Sequence, residues 1–314
     1  MKQIFIDGSA GTTGLQIADR LKNRDDIKVV TLPPELEQDK SSRERELNNC
    51  DIAFLCLPDE AAREAVALIH NDSTVVIDAS TAHRTAKGWV YGFPEIGNRR
   101  KEIAAAKRIA NPGCHAGGFI ALAAPLREHN LIPEDIALSC TSITGYSGGG
   151  RNMIAQYEED DKDELLSAPR LYGLNQSHKH LPEMKAVCGL SLDPVFMPIV
   201  APFYKGMEVL LPLRAEDVSC PLTELKDFYD NYYNGNKDNP GLVRFNPHAD
   251  EEKQGFLSAA EFAGRDIMEI SISGNDKRAV LCARFDNLGK GASGSAIQNM
   301  NIIMGTDEAK GLVL

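Results

Sequence analysis

The sequence predicts an α/β protein of two domains, a parallel sheet covered by helices on both faces and then an α+β domain with a mixed sheet. Three observations favour this fold. At 314 residues, the chain is long for a single hydrophobic core. Its N-terminal third alternates short apolar runs with helical patterns, which is typical of parallel sheets. After residue 113 the apolar runs show polar alternation, which indicates antiparallel or mixed pairing.

The N-terminal part contains four predicted strands, and their continuous apolar runs indicate that both faces of the sheet are buried. These strands are predicted at residues 3–6, 27–31, 51–57 and 74–77. The first strand leads into a glycine-rich turn and a helix, whose apolar face is expected to carry Leu15, Ala18 and Leu21. A further helix is predicted from Asp59 to about His70.

The second part begins after Asn111-Pro112-Gly113 with a long apolar helix from about His115 to Glu128. Pro125 is expected to kink or shorten this helix, because proline lacks the backbone N–H. Strands are predicted at 136–144, 196–201, 206–213, 266–273 and 278–285, with helices at 223–233 and 295–303 and a loop at 286–294.

The composition excludes several classes of function. A net charge of −11 without a basic stripe argues against a nucleic-acid partner. The sequence contains no run of about 18 apolar residues, so no membrane span is predicted. The strand-like start leaves no room for a signal peptide. Seven scattered cysteines, without a CxxC pair or a Cys/His cluster, favour reduced thiols in the cytoplasm over disulfides or a metal site.

The turn after the first strand predicts a dinucleotide site. Glycines allow the backbone to approach a pyrophosphate, and the following helix offers N–H groups and a favourable dipole. The strand–turn–helix context separates this motif from a merely tight turn. The expected contacts are Gly8, Ser9, Gly11, Thr12, Thr13 and Gly14.

The segment after the second strand favours NADP over NAD. NAD-binding chains usually place Asp or Glu at the end of this strand for the ribose 2′-hydroxyl, whereas this chain has Thr31-Leu32-Pro33-Pro34. Ser41 and Arg43 follow, beside Lys40, and are expected to hold a 2′-phosphate. The alternative is a solvated basic patch.

Cys114 is the predicted nucleophile. It stands at the start of the long helix, where the dipole favours a thiolate. The neighbouring Gly113, Gly117 and Gly118 keep the approach open and offer backbone N–H groups to an oxyanion. The other six cysteines lie in apolar strands or lack such a setting and are interpreted as core or surface residues.

A histidine pair is the candidate acid/base. In His178-Lys179-His180-Leu181-Pro182-Glu183, the two imidazoles would face the same way in an extended segment, and Pro182 suits the first turn of a following helix. We place the acid/base role on His180 ahead of His178. Surface histidines in a loop are the alternative, and His115 is a lower-ranked rival base because its ring is expected to point away from Cys114.

Two segments could bind an anionic substrate. Gly145-Tyr146-Ser147-Gly148-Gly149-Gly150-Arg151 combines a glycine-rich nest with an arginine, which suits a carboxylate or phosphate. Arg84 lies just past the fourth strand, at the edge where parallel sheets bind ligands. Ser147, Gly148, Arg151 and Arg84 are therefore predicted substrate contacts, with a plain surface loop as the alternative for residues 145–151.

Taken together, these motifs resemble the short (type 2) class of the N-acetyl-gamma-glutamyl-phosphate reductase family, relatives of aspartate-semialdehyde dehydrogenase. Asn111-Pro112-Gly113-Cys114 and the His-x-His-x-Pro-Glu element are the specific ones. The resemblance implies a Rossmann-type NADP-binding domain of residues 1–113 and 287–314, in which the C-terminal helix packs against the N-terminal part of the chain. Residues 114–286 would form the catalytic and dimerisation domain.

The resemblance also implies the reaction, in arginine biosynthesis. N-acetyl-L-glutamyl 5-phosphate would be reduced by NADPH to the 5-semialdehyde, through a thioester on Cys114, and phosphate would be released. The resemblance further implies a homo-oligomer, either a dimer or a tetramer. Pro58, Ser80, Asn287 and Gly289 would join the cofactor site, and Glu183 the substrate site. The chain departs from the longer class at His115-Ala116-Gly117, where Tyr-Pro-Thr is usual.

Two other functions remain open from the sequence. Aspartate-semialdehyde dehydrogenase uses the same chemistry on a smaller substrate, but that family has Asn-Cys where this chain has Asn-Pro-Gly-Cys. An NADP-binding regulator that has lost catalysis is the other, although Cys114 and both histidines speak against it.

Overall fold

A computed structural model describes residues 1–236, 239–249 and 251–314. The chain divides into two compact units. Unit 1 comprises residues 1–94, 98–113 and 292–312, and unit 2 comprises residues 95–97, 114–291 and 313–314. Among the described residues, no helix is both long and apolar enough to cross a bilayer.

Unit 1 is a doubly wound parallel sheet, as the sequence predicts. Its strands are β1 (Lys2–Asp7), β2 (Ile27–Val30), β3 (Ile52–Leu55), β4 (Val75–Asp78), β5 (Val90–Tyr91) and β6 (Arg108–Ala110). Their order is β2-β1-β3-β4-β6-β5, and every pair is parallel. The helices are α1 (Thr12–Leu21), α2 (Lys40–Asn49), α3 (Asp59–Ala67), α4 (Arg99–Ala105) and α9 (Gly294–Met304). The order reverses between β1 and β3, and ligands bind beyond the carboxyl ends of strands at such a switch point.

Two buried clusters lie on opposite faces of this sheet, because successive side chains of a strand alternate. Ile4 and Ile6 belong to the cluster that includes Ile297 of α9, whereas Phe5 belongs to the other. The predicted return of the C-terminal helix to the first domain is therefore confirmed. The predicted apolar face of α1 is partly wrong, since Leu15 is 53% exposed. The buried stripe is Gly14, Ile17 and Leu21, at helical spacing.

Unit 2 contains a seven-stranded mixed sheet. Its strands are β7 (Ser139–Gly145), β8 (Arg170–Leu171), β9 (Val195–Ala201), β10 (Met207–Arg214), β11 (Val243–Phe245), β12 (Met268–Gly274) and β13 (Arg278–Phe285), in the order β11-β12-β13-β10-β7-β9-β8. Its helices are α5 (Cys114–Glu128), α6 (Gly150–Glu158), α7 (Leu181–Cys188) and α8 (Leu225–Tyr229). The helix predicted at 223–233 is only partly α-helical, since 3₁₀ and π turns flank α8.

Helix α5 packs on one face of this sheet. A side chain at Gly118 would collide with Val209 and Phe285, so glycine allows the close approach of helix and sheet. Pro125 does not shorten the helix, which continues to Glu128. Pro125 has no N–H for the Ala121 carbonyl, and the Tyr233 hydroxyl donates to that oxygen instead, at 2.6 Å. Tyr229 likewise donates to the Leu122 carbonyl.

Candidate active site

The glycine-rich turn of unit 1 has little space for side chains. Gly8 adopts a φ of 81°, and a Cβ there would lie 2.5 Å from the Cys56 carbonyl oxygen. A Cβ at Gly14 would collide with the Gly8 carbonyl oxygen. Gly11 is the N-cap of α1 and offers no capping side chain. Backbone N–H groups at the α1 N-terminus, with no side chain crowding the turn, suit a pyrophosphate.

The carboxyl edge of the sheet also carries the other predicted contacts of unit 1. Ser80 is buried and its hydroxyl donates to Asp78, at 2.7 Å. Arg84 donates to the carbonyl oxygens of Asn111 and Ala79, at 3.0 and 3.2 Å, so part of its guanidinium supports the backbone before Cys114. Pro58 is exposed at the start of α3.

The prediction that Arg43 binds a 2′-phosphate is wrong. Its side chain is buried and forms a two-pronged ion pair with Asp7 at the end of β1, with a shortest distance of 2.9 Å. A guanidinium held in this way fixes β1 to α2 and does not face a phosphate. The exposed residues in the first turn of α2 are Lys40 and Ser41.

The sequence also missed a carboxylate beside the glycine-rich turn. The Ser9 hydroxyl donates to Glu37, at 3.2 Å. Glu37 follows the short turn at Pro34–Leu36, seven residues beyond Val30 at the end of β2, so its position could not be read from the strand end. Acidic side chains near this position bind the ribose hydroxyls in NAD-binding proteins.

Cys114 is the first residue of α5 in unit 2 and is half-buried. Gly291 lies beside it, and a Cβ at Gly291 would approach the Cys114 Cβ to 3.0 Å. All seven cysteines are free thiols. Burial raises the pKa of the other six, to about 12 for Cys50, which keeps them protonated and poorly nucleophilic near neutral pH.

Three histidines meet next to this helix start. The ring centroid of His115 lies 5.5 Å from that of His178 and 5.6 Å from that of His180, and the latter two are 4.8 Å apart. The His180 backbone N–H donates to Nδ1 of His178, at 3.2 Å, which leaves the His178 proton on Nε2. His180 is buried, and its Nε2 lies 4.0 Å from Glu183, a buried carboxylate.

His115 is less suited to act as a base than the other two histidines. It is 3% exposed, and its Nδ1 and Nε2 form hydrogen bonds with Ser142 and Tyr172, both at 2.7 Å. Burial lowers the pKa of His115 to about 3, with smaller effects from His178 and Lys179. Its imidazole is therefore neutral at physiological pH and engaged at both nitrogens.

The glycine-rich segment at 145–151 is not a loop throughout. Tyr146–Gly149 forms a 3₁₀ turn, and α6 begins at Gly150, which places Arg151 in the first turn with an exposed side chain. Ser147 is buried and accepts a hydrogen bond from the Asn287 amide, at 3.0 Å. Gly148 and Gly149 are exposed. Of the predicted substrate contacts in this segment, Gly148 and Arg151 are therefore accessible and Ser147 is not.

Residues 287–291 belong to unit 2 by their contacts, whereas the family resemblance implies that they join the first domain. The Asn287 side chain accepts from the Gly206 N–H at 2.9 Å, besides its bond to Ser147. A Cβ at Gly289 would collide with the Arg265 carbonyl oxygen. Lys290 forms a buried ion pair with Glu95, at 2.6 Å, which no spacing in the sequence could indicate.

Within the described ranges, no group of three or more His, Cys, Asp or Glu residues is arranged to hold a metal ion. The described residues at the start of α5 offer a thiol, imidazoles and backbone N–H groups. Such a set suits acyl transfer through a covalent intermediate, and a turn for a dinucleotide suits redox chemistry.

Comparison with known proteins identifies the family. Residues 3–106 match the family model "Semialdehyde dehydrogenase, NAD binding domain", and residues 114–287 match "Semialdehyde dehydrogenase, dimerisation domain". The chain is 44% identical to N-acetyl-gamma-glutamyl-phosphate reductase 2 of a Nostoc species, over 99% of both chains. It is also 44% identical to the N-acetyl-gamma-glutamyl-phosphate reductase of Mesorhizobium japonicum, over 96% of this chain and 99% of the relative.

The chain belongs to the N-acetyl-gamma-glutamyl-phosphate reductase family. Solved structures agree on the fold. Aspartate semialdehyde dehydrogenase II of Vibrio cholerae, complexed with ASA, superposes with a TM-score of 0.72 at 15% identity, over 97% of this chain and 98% of that one. Aspartate semialdehyde dehydrogenase of Candida albicans, with NADP, gives 0.65 at 17% identity, over 97% and 98%. The family resemblance and the α/β fold class expected from the sequence are confirmed.

Proposed function

We propose that this protein reduces N-acetyl-L-glutamyl 5-phosphate to the 5-semialdehyde with NADPH and releases phosphate. The proposal rests on the position of Cys114 at the start of α5, beside a cluster of histidines. Burial raises the pKa of the other six thiols, which makes them poor nucleophiles. The names of the relatives supply the substrate.

The proposed steps use this chain's own groups. A histidine of the 178/180 pair accepts the Cys114 proton, and the thiolate attacks the acyl carbon. Backbone N–H groups at the start of α5 stabilise the oxyanion, the bond to phosphate breaks, and a thioester on Cys114 remains. NADPH supplies, when bound, the hydride that this thioester needs. The oxyanion then collapses to the aldehyde, and the Cys114 sulfur leaves and recovers its proton from the histidine.

We assign the acid/base role to His180 ahead of His178, as predicted from the sequence. His180 is buried beside the Glu183 carboxylate, which can stabilise an imidazolium, while His178 uses Nδ1 to accept from the backbone. Glu183 then acts through His180. Arg84, Gly148 and Arg151 remain the proposed contacts for the anionic ends of the substrate.

We propose NADP as the cofactor, held by the Gly8–Gly14 turn and by Lys40 and Ser41 at the exposed first turn of α2. No carboxylate stands at Thr31, directly after β2. Glu37 is the group that would favour NAD instead. A kcat/KM for NADPH below that for NADH would contradict this part of the proposal.

The decisive experiment is a steady-state assay with N-acetylglutamyl semialdehyde, phosphate and NADP, which runs the reaction in reverse. We expect Cys114→Ser to abolish turnover while binding of NADP changes little. Cys220→Ser, at a half-buried thiol with a raised pKa, is the matched control and should retain activity. Turnover by Cys114→Ser, or faster turnover of aspartate semialdehyde, would refute the proposal, and a regulator would show no turnover at all.

We also propose that the protein self-associates through the face of the mixed sheet opposite α5. The strand register places three exposed apolar side chains, Leu171, Val195 and Val280, on this one face. Half-buried Ile143, Ile199 and Leu210 lie on the same face. An apolar sheet face of this kind marks an interface, and the matching family model is named a dimerisation domain.

A further inference from the structure

The Glu37 carboxylate lies against the glycine-rich turn of unit 1. The hydroxyl of Ser9, inside that turn, donates a hydrogen bond to Oε1 of Glu37, at 3.2 Å. Glu37 directly follows the 3₁₀ turn Pro34–Leu36, which lies between β2 and α2. Both side chains are partly buried, so the carboxylate is held beside the segment that is proposed to bind the pyrophosphate.

The guanidinium nearest to this segment is already paired. Arg43 of α2 forms its two-pronged ion pair with Asp7 at the end of β1, and its side chain is only 10% exposed. A guanidinium bound in this way leaves little attraction for a further anion. Burial raises the pKa of Asp7, the hydrogen bond and charge of Arg43 oppose this, and the charge of Glu37 raises it further. The field of Glu37 thus reaches the end of β1 in spite of the pair.

The charges of residues 34–43 disfavour an additional anion. Three carboxylates, those of Glu35, Glu37 and Asp39, stand against Lys40 and Arg43. A phosphate monoester such as the 2′-phosphate of NADPH carries a charge of about −1.5 to −2 at neutral pH. Exposed Lys40 attracts such a group, whereas Glu37 repels it. NADH has a neutral hydroxyl in place of this phosphate and meets no such repulsion.

We infer that Glu37 determines the cofactor selectivity, because it accepts hydrogen bonds from the ribose hydroxyls of NADH and repels the 2′-phosphate of NADPH. The inference rests on the proposed function, which requires a nicotinamide dinucleotide at the Gly8–Gly14 turn. A carboxylate only accepts hydrogen bonds, so it suits hydroxyl groups and not a phosphate. The attraction by Lys40 and the repulsion by Glu37 oppose each other, and the enzyme uses both cofactors, with NADPH preferred by less than about tenfold.

The test measures binding of NADPH and of NADH to the full-length protein by fluorescence titration, without an acyl substrate. Glu37→Gln keeps the size of the side chain and one acceptor oxygen but removes the charge. We expect the Kd for NADPH to fall about tenfold and the Kd for NADH to rise about threefold. The ratio of the kcat/KM values for the two cofactors should change in the same direction.

Glu35→Gln is the matched control. Glu35 is exposed in the same short turn, and the substitution removes the same charge two residues away from Glu37. Because an exposed charge is screened by solvent and salt, the ratio of the two Kd values should change by less than about twofold. Glu37→Lys reverses the charge and should raise the preference for NADPH beyond that of Glu37→Gln. Circular dichroism checks that each variant is folded.

An unchanged ratio of the two Kd values in Glu37→Gln would overturn the inference, as would an equal change in Glu35→Gln. A wild type that binds NADPH more than about a hundredfold tighter than NADH would also overturn it. Failure of the proposed function looks different. In that case neither dinucleotide would bind, or both would bind with a selectivity that depends on Glu37 while the semialdehyde is not turned over.

Discussion

At the scale of single residues, the partners of a buried ionisable group decide whether it can take part in the reaction. His115 and Arg43 both look like functional candidates in the sequence, because one follows the reactive cysteine and the other follows the second strand. Both are buried and engaged, His115 by two hydroxyls and Arg43 by Asp7. His115 is bound at both ring nitrogens and Arg43 by a two-pronged carboxylate, and these partners, rather than burial alone, keep the two groups from a ligand.

His115 makes the stability of the protein depend on pH. Because burial lowers its folded-state pKa to about 3, the unfolded chain binds one more proton between about pH 3 and 6.5. The free energy of unfolding therefore rises with pH across this window and levels off above it. Between pH 5 and 6.5 this one group should contribute about 1.5 kcal/mol.

Urea unfolding at pH 5 and pH 6.5 measures this contribution. His115→Gln should reduce the difference in unfolding free energy between the two pH values by about 1.5 kcal/mol, whatever its effect on absolute stability. His248→Gln, at a largely exposed side chain, serves as the control and should leave the difference unchanged. An unaltered difference in His115→Gln would show that the pKa of His115 is not lowered in the folded protein.

At the scale of elements, α5 continues through a proline because a residue outside the helix supplies the missing donor. The Tyr233 hydroxyl replaces the N–H that Pro125 lacks and donates to the Ala121 carbonyl. Tyr229 and Tyr233 are fully buried, which raises their pKa well above the usual value and keeps them as donors. Helix propensity alone would have ended α5 early.

A double-mutant cycle tests this replacement. Tyr233→Phe should lower the free energy of unfolding by about 1–3 kcal/mol, because it leaves a buried carbonyl without a donor. In a Pro125→Ala background the same change should cost less, since the backbone N–H that this substitution restores can then donate to the Ala121 carbonyl. Equal costs in both backgrounds, measured by denaturant unfolding, would refute the replacement.

At the scale of the whole molecule, the mixed sheet has one face covered by α5 and one face with exposed apolar side chains. Folding of one chain leaves Leu171, Val195 and Val280 in water, at 51%, 57% and 36% exposure. A second copy that covered this face would remove them from solvent and add hydrophobic stabilisation. The protein should therefore sediment as a dimer or a larger homo-oligomer.

Val280→Asp should weaken this association, because an interface would bury the new carboxylate. Sedimentation velocity at micromolar concentration should show a shift toward the monomer. Leu174→Asp is the control, since Leu174 is 75% exposed but lies outside the sheet. A wild-type monomer, or an oligomer that Val280→Asp leaves intact, would contradict the proposed interface.

The sequence by itself determined the fold class and the local candidates. Strands β1 to β4 and helices α1, α3 and α9 of unit 1 follow from apolar runs and periodicity, whereas α4 and the short strands β5 and β6 were not predicted. The Gly8–Gly14 turn and Cys114 follow from residues next to each other in the chain. Helix α2 was missed because it is polar and buries only Ser42, Arg43 and Leu47, which leaves no apolar stripe to read.

Only the tertiary structure decided which side chains meet. The bonds of His115 with Ser142 and Tyr172, the ion pair of Lys290 with Glu95, and the donor that Tyr233 gives to α5 all join residues far apart in sequence. Periodicity shows that a side chain is buried but not which group it faces. The partner of a buried polar group depends on how strands and helices pack, and that packing is set by the whole core.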